Sequence, residues 1–582
     1  VAGLDVLELA RRHSALLQDR QSWEADWKSL AKHFLPRKCR VLEYDPNATN
    51  VGGLRTDVID STGVYAMRDL AAGLHGGMTS PARPWFRLGL QDETLERKQA
   101  VREFLDEVQN RMRTLLHRSN FYNAVHQLYA ELGTFGTGFM FVMPDERTGI
   151  RFAPLTVGEY VLDTDENGRV DTIFRVLDFS ARQLVRRFGY DKLPPVVQAE
   201  YDKPAITQTA RYRVVHGVFP RNDREPGKRD GRNKPFASVY WLDRSNGSAA
   251  LGSGNAYHKL SEGGFDQFPG FGPRWDVTGQ DVYGRSPGMD ALADCRMVQQ
   301  MKITALKAMH KEVDPPVGIQ GQLKGALDLL PGGQNIVDTT GNGPGVYPIT
   351  KIQPNLQNTM FAIKEVQQAI KDGLFNTLFR MLMNSDRRQI TAKEVAAREE
   401  EKLILIGPVL ERLHDELFIP LIDRVFEIMI AEDMLPPWPE EIAGMPIKVE
   451  FVSLLAQAQK MVATSSVDQF MGFIGTYAQF FPDLLDIPNP DKLGDGYATY
   501  LGVEADMLRS QEDREELRAG RKKQQDMVAA AAAIQNAQGM AGAARTMSET
   551  PVGGEGSPSA LQTILGGLGG LGGLGGAPVG AR

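Results

Sequence analysis

The sequence predicts an α+β protein, and three observations carry that prediction. Apolar residues recur at helical spacing through the first 132 positions, and residues 136–275 then switch to strand-like alternation. Farther on, two long amphipathic stretches bracket a segment rich in Gly and Pro. The chain has 582 residues, 42% of them hydrophobic. That is enough for several cores, so about three or four domains are expected.

The helical front is read from spacing and from stop signals. Residues 3–35 form one helix, with Trp23, Trp27, Leu30 and Phe34 on one face and Pro36 as its stop. A second helix covers 56–75, where Ala66, Ala71, Ala72 and Gly73 permit close packing. A short strand ends "RPWFRLGL", at Leu90. Two further helices fill 97–132, divided at "HRSNFY", where Ser119 or Asn120 supplies a cap. The β region, 136–275, carries a single helix near 180–189.

The first long helix runs from Pro287 to about Val313, with Ala291, Cys295, Val298, Met301, Ala305 and Ala308 on one face. The second runs from about Asn355 to Met383, with Leu356, Met360, Ile363, Val366, Ile370, Leu374 and Leu378 on one face. Each is roughly 40 Å long. Residues 390–435 read as helical, opened by a capping box at Thr391 and Glu394 and interrupted at Gly407-Pro408, because proline cannot donate to the preceding turn. "PPWPEE" is a rigid linker, short helices follow over 450–500, and a polar helix spans about 504–538. The tail from Gly539, with its "LGGLGG" repeats, has too few side chains to build a core and is expected to be flexible.

Charge and composition narrow the function. A net charge of −7 argues against a protein that grips nucleic acid by neutralising many phosphates, although it allows one that surrounds DNA without holding it. Cys39 and Cys295 cannot make a disulfide framework, which points to a reducing compartment at assembly. With no signal-peptide pattern and no apolar run of about 18–20 residues, a soluble intracellular product without a membrane is expected.

"GRSPG" (Gly284–Gly288) spells a hydrolase nucleophile elbow around Ser286. The preceding "WDVTGQDVY" is too polar for a buried strand, and Pro287 has no N–H to offer an oxyanion. A helix start fits better: Ser286 as N-cap, Pro287 at the first helical position, Asp290 in the first turn. Asp163, Asp165, Asn167 and Gly168 imitate half of a calcium loop, yet Phe174 stands where a bidentate glutamate belongs. Asn167-Gly168 between alternating runs reads as a hairpin turn. No GxxxxGK[ST] or HExxH occurs, so neither a metal site nor a cofactor is expected. "RKK" at 521–523 reads as a solvated helix face.

Several segments together resemble the head-to-tail connecting, or portal, proteins of short-tailed bacteriophages: "MTSPARPWFRLGL", "DENGRV", "VYGRSPGMDALADCRMVQQMKITALKAMHKEVDPP", "TAKEVAAREEE" and "IPLIDRVFEIM". The similarity spans about 1–510. It implies a ring, usually of twelve copies, at one capsid vertex of the virion, assembled in the host cytoplasm and passing double-stranded DNA during packaging and ejection. It further implies partners: the terminase packaging motor, a tail adaptor, and the major capsid and scaffolding proteins. Mapped onto this chain, 1–285 is a wing, 286–313 and 356–383 are stem helices, and 314–355 is a clip. A wing helix at 384–438 holds a tunnel loop near 400–412, 439–538 is a helical crown, and 539–582 is the tail. Leu405, Ile406, Gly407 and Pro408 would approach the tunnel, and Lys324 and Lys351 would contact DNA or adaptor in the clip. The alternatives are a serine hydrolase using Ser286, or a DNA-binding scaffold or adaptor.

Overall fold

A computed structural model describes residues 4–42, 58–92, 95, 98–208, 210–225, 227–228, 230–243, 257–314, 316–320, 322–323, 327, 336–338, 346–348, 356–384, 406–439, 442, 447–451, 470–478, 480–494, 509 and 511–549. The chain divides into two compact units, Val1–Asn489 and Pro490–Arg582.

Helix α1 (Val6–Phe34) starts where the Asp5 carboxylate accepts the Leu7 N–H, and it ends before Pro36. Its buried face, Trp27, Leu30, Ala31 and Phe34, enters the main core. Each such Leu or Phe contributes about 1.5–3 kcal/mol relative to exposure. Helices α2 (Thr62–Met78), α3 (Gln99–Arg118) and α4 (Phe121–Phe135) follow. The Ser119 hydroxyl accepts from Phe121 N–H at the α3–α4 break, whereas the Asn120 amide pairs with both backbone groups of Phe152. Asn120 therefore spends its side chain on fastening the break to a strand.

Strand β1 (Phe86–Leu90) is formed as expected. The β region then builds two antiparallel sheets. One has the order β3-β2-β9, from β2 (Phe139–Asp145), β3 (Gly149–Leu155) and β9 (Gly270–Phe271). The other is a five-stranded meander of β4 (Tyr160–Thr164), β5 (Val170–Ser180), β6 (Arg211–Pro220), β7 (Phe236–Leu242) and β8 (His258–Phe265). Its side chains alternate between faces. Val215, Val239 and Trp241 pack with Leu9 of α1, while Val214, Tyr240 and Leu242 pack under α5 (Ala181–Phe188) and α6 (Pro195–Tyr201). Helix α6 is additional to the single helix expected in this region.

The calcium-loop imitation is the β4–β5 hairpin. Gly168 adopts φ +76°, and the Asp165 carboxylate accepts from Asn167 and Arg169 N–H within the turn. Arg274 reaches the carbonyl of Gly168 and also forms a bidentate ion pair with Glu416, 2.7 Å at its closer contact, so the hairpin is tied to a distant helical segment.

Two expectations about the second half need correction. The helix expected over 356–383 is two helices, α8 (Leu356–Gly373) and α9 (Asn376–Asn384), broken where Phe375 takes φ +57°. The ring of Phe375 lies 6.1 Å from that of Trp275, so packing of an aromatic accompanies the kink that periodicity could not show. Residues 406–413 are helical and continue through a π turn (His414–Phe418) into α10 (Ile419–Ala431), with Gly407-Pro408 in the first described turn, where proline is tolerated; residues 385–405, on the other side of the expected interruption, lie outside the described residues. The sequence also placed only helices in 450–500, but β14 (Ile447–Phe451) extends to 451 and pairs antiparallel with β1. Thr391 and Glu394 lie outside the described residues.

In the second unit, helix α11 (Gln511–Glu549) continues past Gly539, where the sequence predicted a flexible tail. Ala and Met are good helix formers, and over 539–549 they outweigh two glycines. Asp491 is held by Arg518 at 2.5 Å and by Arg514. The side chains of Arg521, Lys522 and Lys523 are exposed, as a solvated face requires.

Candidate functional site: the seat of a long helix pair

Helix α7 (Pro287–Val313) begins where the sequence places it. The Ser286 hydroxyl accepts the Met289 N–H at 3.1 Å and donates to the carbonyl of Thr134 at 2.7 Å. It is 2% exposed, so its proton is committed to a backbone oxygen and no substrate reaches it. That geometry contradicts the nucleophile reading.

The two glycines of the motif explain why the spelling arose. Gly136 ends α4 at φ +79°, and a Cβ there would stand 2.2 Å from the carbonyl oxygen of Gly284. In return, a Cβ on Gly284 would meet the Gly136 oxygen at 2.4 Å, and one on Gly288 would meet the Gly133 oxygen at 2.9 Å. Only bare backbones approach this closely. Gly284 N–H donates to the Thr137 hydroxyl at 2.7 Å, and Trp275 N–H donates to the Gly136 carbonyl at 2.8 Å. The start of α7 is thus fastened to the end of α4 by backbone contact on three sides. The motif is a mechanical seat.

A second fastening holds both long helices to one carboxylate that the sequence reading missed. Asp60, 3% exposed, pairs with Lys302 of α7 at 2.5 Å and accepts from the Gln367 amide of α8 at 2.7 Å. Gln299 of α7 accepts from Ile59 and Asp60 N–H and donates to the Asp60 carbonyl. Burial alone would raise the Asp60 carboxyl, but the hydrogen bonds from Lys302, Thr62 and Gln367 outweigh it, and it sits below its ordinary value. The available sequence clue was polar residues at core-facing positions, Gln299 beside Val298 and Gln367 beside Val366. Nearby Cys295 is buried, and burial, helped by Asp60 and Asp294, pushes its thiol up to about 12, so it acts as a small apolar side chain.

Beyond the seat the pair loses its cover. Ala291, Cys295 and Val298 are buried and Met301 and Ala305 partly so, but Leu306, Met309 and Val313 are exposed, as is Met297. On α8, Ile363 and Ile370 are buried, whereas Met360, expected on the packed face, is 56% exposed and Phe361 71%. The side chain of Leu356 is outside the described residues. At the far end, β10 (Val317–Ile319) pairs with β13 (Val346–Pro348), and β11 (Gln322–Leu323) with β12 (Val337–Asp338), which makes a small β module between the helices.

Of the remaining candidate residues, Lys324, Lys351 and Leu405 lie outside the described residues. Ile406 is fully buried in the main core, so the expectation that it borders a lumen does not fit its packing; Pro408 is exposed and Gly407 half-buried. Among the described residues no cluster of His, Cys, Asp or Glu could hold a metal, and no helix is long and apolar enough to cross a membrane.

Two measurements probe this seat. Ser286→Ala should lower stability by about 1–2 kcal/mol in thermal unfolding, and a serine-reactive phosphonate should leave the wild-type chain unlabelled by mass spectrometry. Asp60→Asn should cost on the order of 2 kcal/mol near neutral pH. Because the folded carboxyl is lowered, its contribution is fully present above its unfolded value, about 3.9, and is lost as pH falls through the folded value. Urea unfolding of the two proteins should therefore differ equally from pH 7 to about 5, begin to converge only below about pH 4, and meet once the pH is below the folded value.

Comparison with known proteins places the chain in a family. The chain matches the family described as bacteriophage head to tail connecting protein over residues 7–508. It is 38% identical over 502 residues to the probable portal protein of Bordetella phage BPP-1, covering 86% of this chain and 88% of that protein. It is 37% identical over 558 residues to the portal protein of Salmonella phage epsilon15, covering 96% and 97%. A chain in the virion of a native gene transfer agent particle aligns at a TM-score of 0.31 and 13% identity, covering 75% of this chain and 90% of that one, too low to carry weight. The chain belongs to the bacteriophage head to tail connecting protein family.

Proposed function

We propose that this chain is the portal of a phage virion, a closed ring at one capsid vertex through which double-stranded DNA is packaged and ejected. Family membership supports the connector role, and the observation that carries the ring is the helix pair itself. Helix α7, about 40 Å long, is anchored at one end by backbone contact and then runs outward with Leu306, Met309 and Val313 uncovered beside Met360 and Phe361 of α8. Apolar side chains aligned along such a pair call for a neighbour, and identical neighbours that meet head-to-tail close into a ring.

In this reading α7 and α8 form the stem, 314–355 the clip, the α/β region the wing, and 439–538 the crown, in a ring of twelve. The clip, with Lys324 and Lys351, meets the tail adaptor and the terminase motor, and the wing meets capsid and scaffolding proteins during assembly in the host cytoplasm. The tunnel segment is assigned to Leu405, Gly407 and Pro408, where the helix described from Ile406 begins, with Ile406 anchoring it from the core. A net charge of −7 suits a conduit, since each firm phosphate contact would add to the binding that sliding DNA must break.

Negative-stain electron microscopy of the purified chain should show annular particles with a central hole. Pro408→Lys should leave those rings intact and alter DNA retention in a packaging assay. A chain that stays a single 64.3 kDa molecule under every assembly condition contradicts the ring, and unchanged retention contradicts the loop assignment.

A further inference from the structure

The charge of this chain is unevenly distributed. Residues 181–234 carry thirteen Lys and Arg against six Asp and Glu, in a chain whose net charge is −7. Part of that excess is already neutralised: Arg221 pairs with Glu262, Lys228 with Glu225 and Lys234 with Asp266. The excess on α5 is not. Arg182 and Arg186 are exposed one helical turn apart, about 6 Å along the axis, and neither has an acidic partner among the described residues.

Both arginines line a surface cleft of about 480 Å³ together with Val185, Tyr201, Lys203 and Gln208. The walls of the cleft are held in place. A capping box between Ser180 and Gln183 fixes the start of α5, and Leu184 and Phe188 anchor its inner face over Val197 of α6. The Gln208 amide donates to the carbonyls of Tyr201 at 2.7 Å and Lys203 at 2.8 Å, which closes the opposite rim. Lys203 is neutralised by Glu200 at 2.5 Å, so the two arginines are the unmatched charges of the cleft.

We propose that this lobe, on the face of the five-stranded sheet opposite α1, is a docking surface for the phosphate backbone of double-stranded DNA. Guanidinium groups fork onto phosphate oxygens, and a pair held at fixed spacing on a rigid helix matches a repeating polyanion without reading its sequence. The inference rests on the portal reading for the presence of DNA. It adds a place where DNA is held, distinct from any lumen through which it slides.

The test is fluorescence anisotropy of a labelled random-sequence duplex with the full chain, titrated between about 50 and 200 mM salt. Arg182→Glu/Arg186→Glu should weaken binding at low salt and reduce the slope of log affinity against log salt by about 2, near 0.9 for each lost phosphate contact. Arg182→Gln/Arg186→Gln should show the same direction without charge repulsion, and Lys522→Glu/Lys523→Glu on α11 should bind as the unaltered chain does. An unchanged slope in both arginine variants overturns the proposal. So does loss in the α11 variant in their place, or competition by polyglutamate equal to that of unlabelled DNA. Imaging the same samples separates the two readings: rings whose DNA binding ignores the arginines refute the lobe alone, whereas arginine-dependent binding by chains that never form rings refutes the portal alone.

Discussion

The architecture depends on the contact between two bare backbones, Gly136 at the end of α4 and Gly284 just ahead of α7. A side chain at either position would drive into the other's carbonyl, so the approach exists only because both residues lack one. The start of α7 is positioned through this contact. Ser286 converts it into a helix start by capping α7 and bonding back to α4 in one step, and Pro287 follows with a backbone already suited to the first helical position. Asp60 supplies the second fixed point, farther along, where one carboxylate reaches both long helices.

Two fixed points along one end make a lever. The first half of α7 is packed into the main core, whereas Leu306, Met309 and Val313 in the second half are exposed. An isolated chain exposes Phe361 and Met360 to water at an unfavourable hydrophobic cost, which association with identical copies in the proposed ring would remove. The arrangement fits the proposed ring, in which the working part would be made jointly. It also accounts for a sequence whose one hydrolase-like motif has its hydroxyl bonded to backbone, out of reach of any substrate.

Much of this was legible in the sequence, for identifiable reasons. The start of α7 could be read because Ser-Pro with a following acid is a local signal whose physics involves only adjacent residues. The hairpin at Asn167-Gly168 was legible for the same reason. The break at Phe375 was hidden because the apolar spacing of α8 continues through it to Leu378, and the cause of a kink is a tertiary contact. Asp60 was missed because its partners on the two long helices lie more than two hundred residues away, and the buried glutamines there show a need for a partner without naming it. The strand at 447–451 likewise depends on a partner at 86–90 that no local pattern announces.

The central claim is that the uncovered side of the α7–α8 pair is covered by the next copy. Hydroxyl-radical footprinting of isolated and assembled chains addresses it directly, because Met297, Met309, Met360 and Phe361 are all oxidisable and all exposed in the single chain. Assembly should protect these four side chains while exposed residues elsewhere, such as Met540 on α11, report on general access. Equal oxidation of the four before and after assembly would mean that the copies meet through some other surface, and the account given for the helix pair would be wrong.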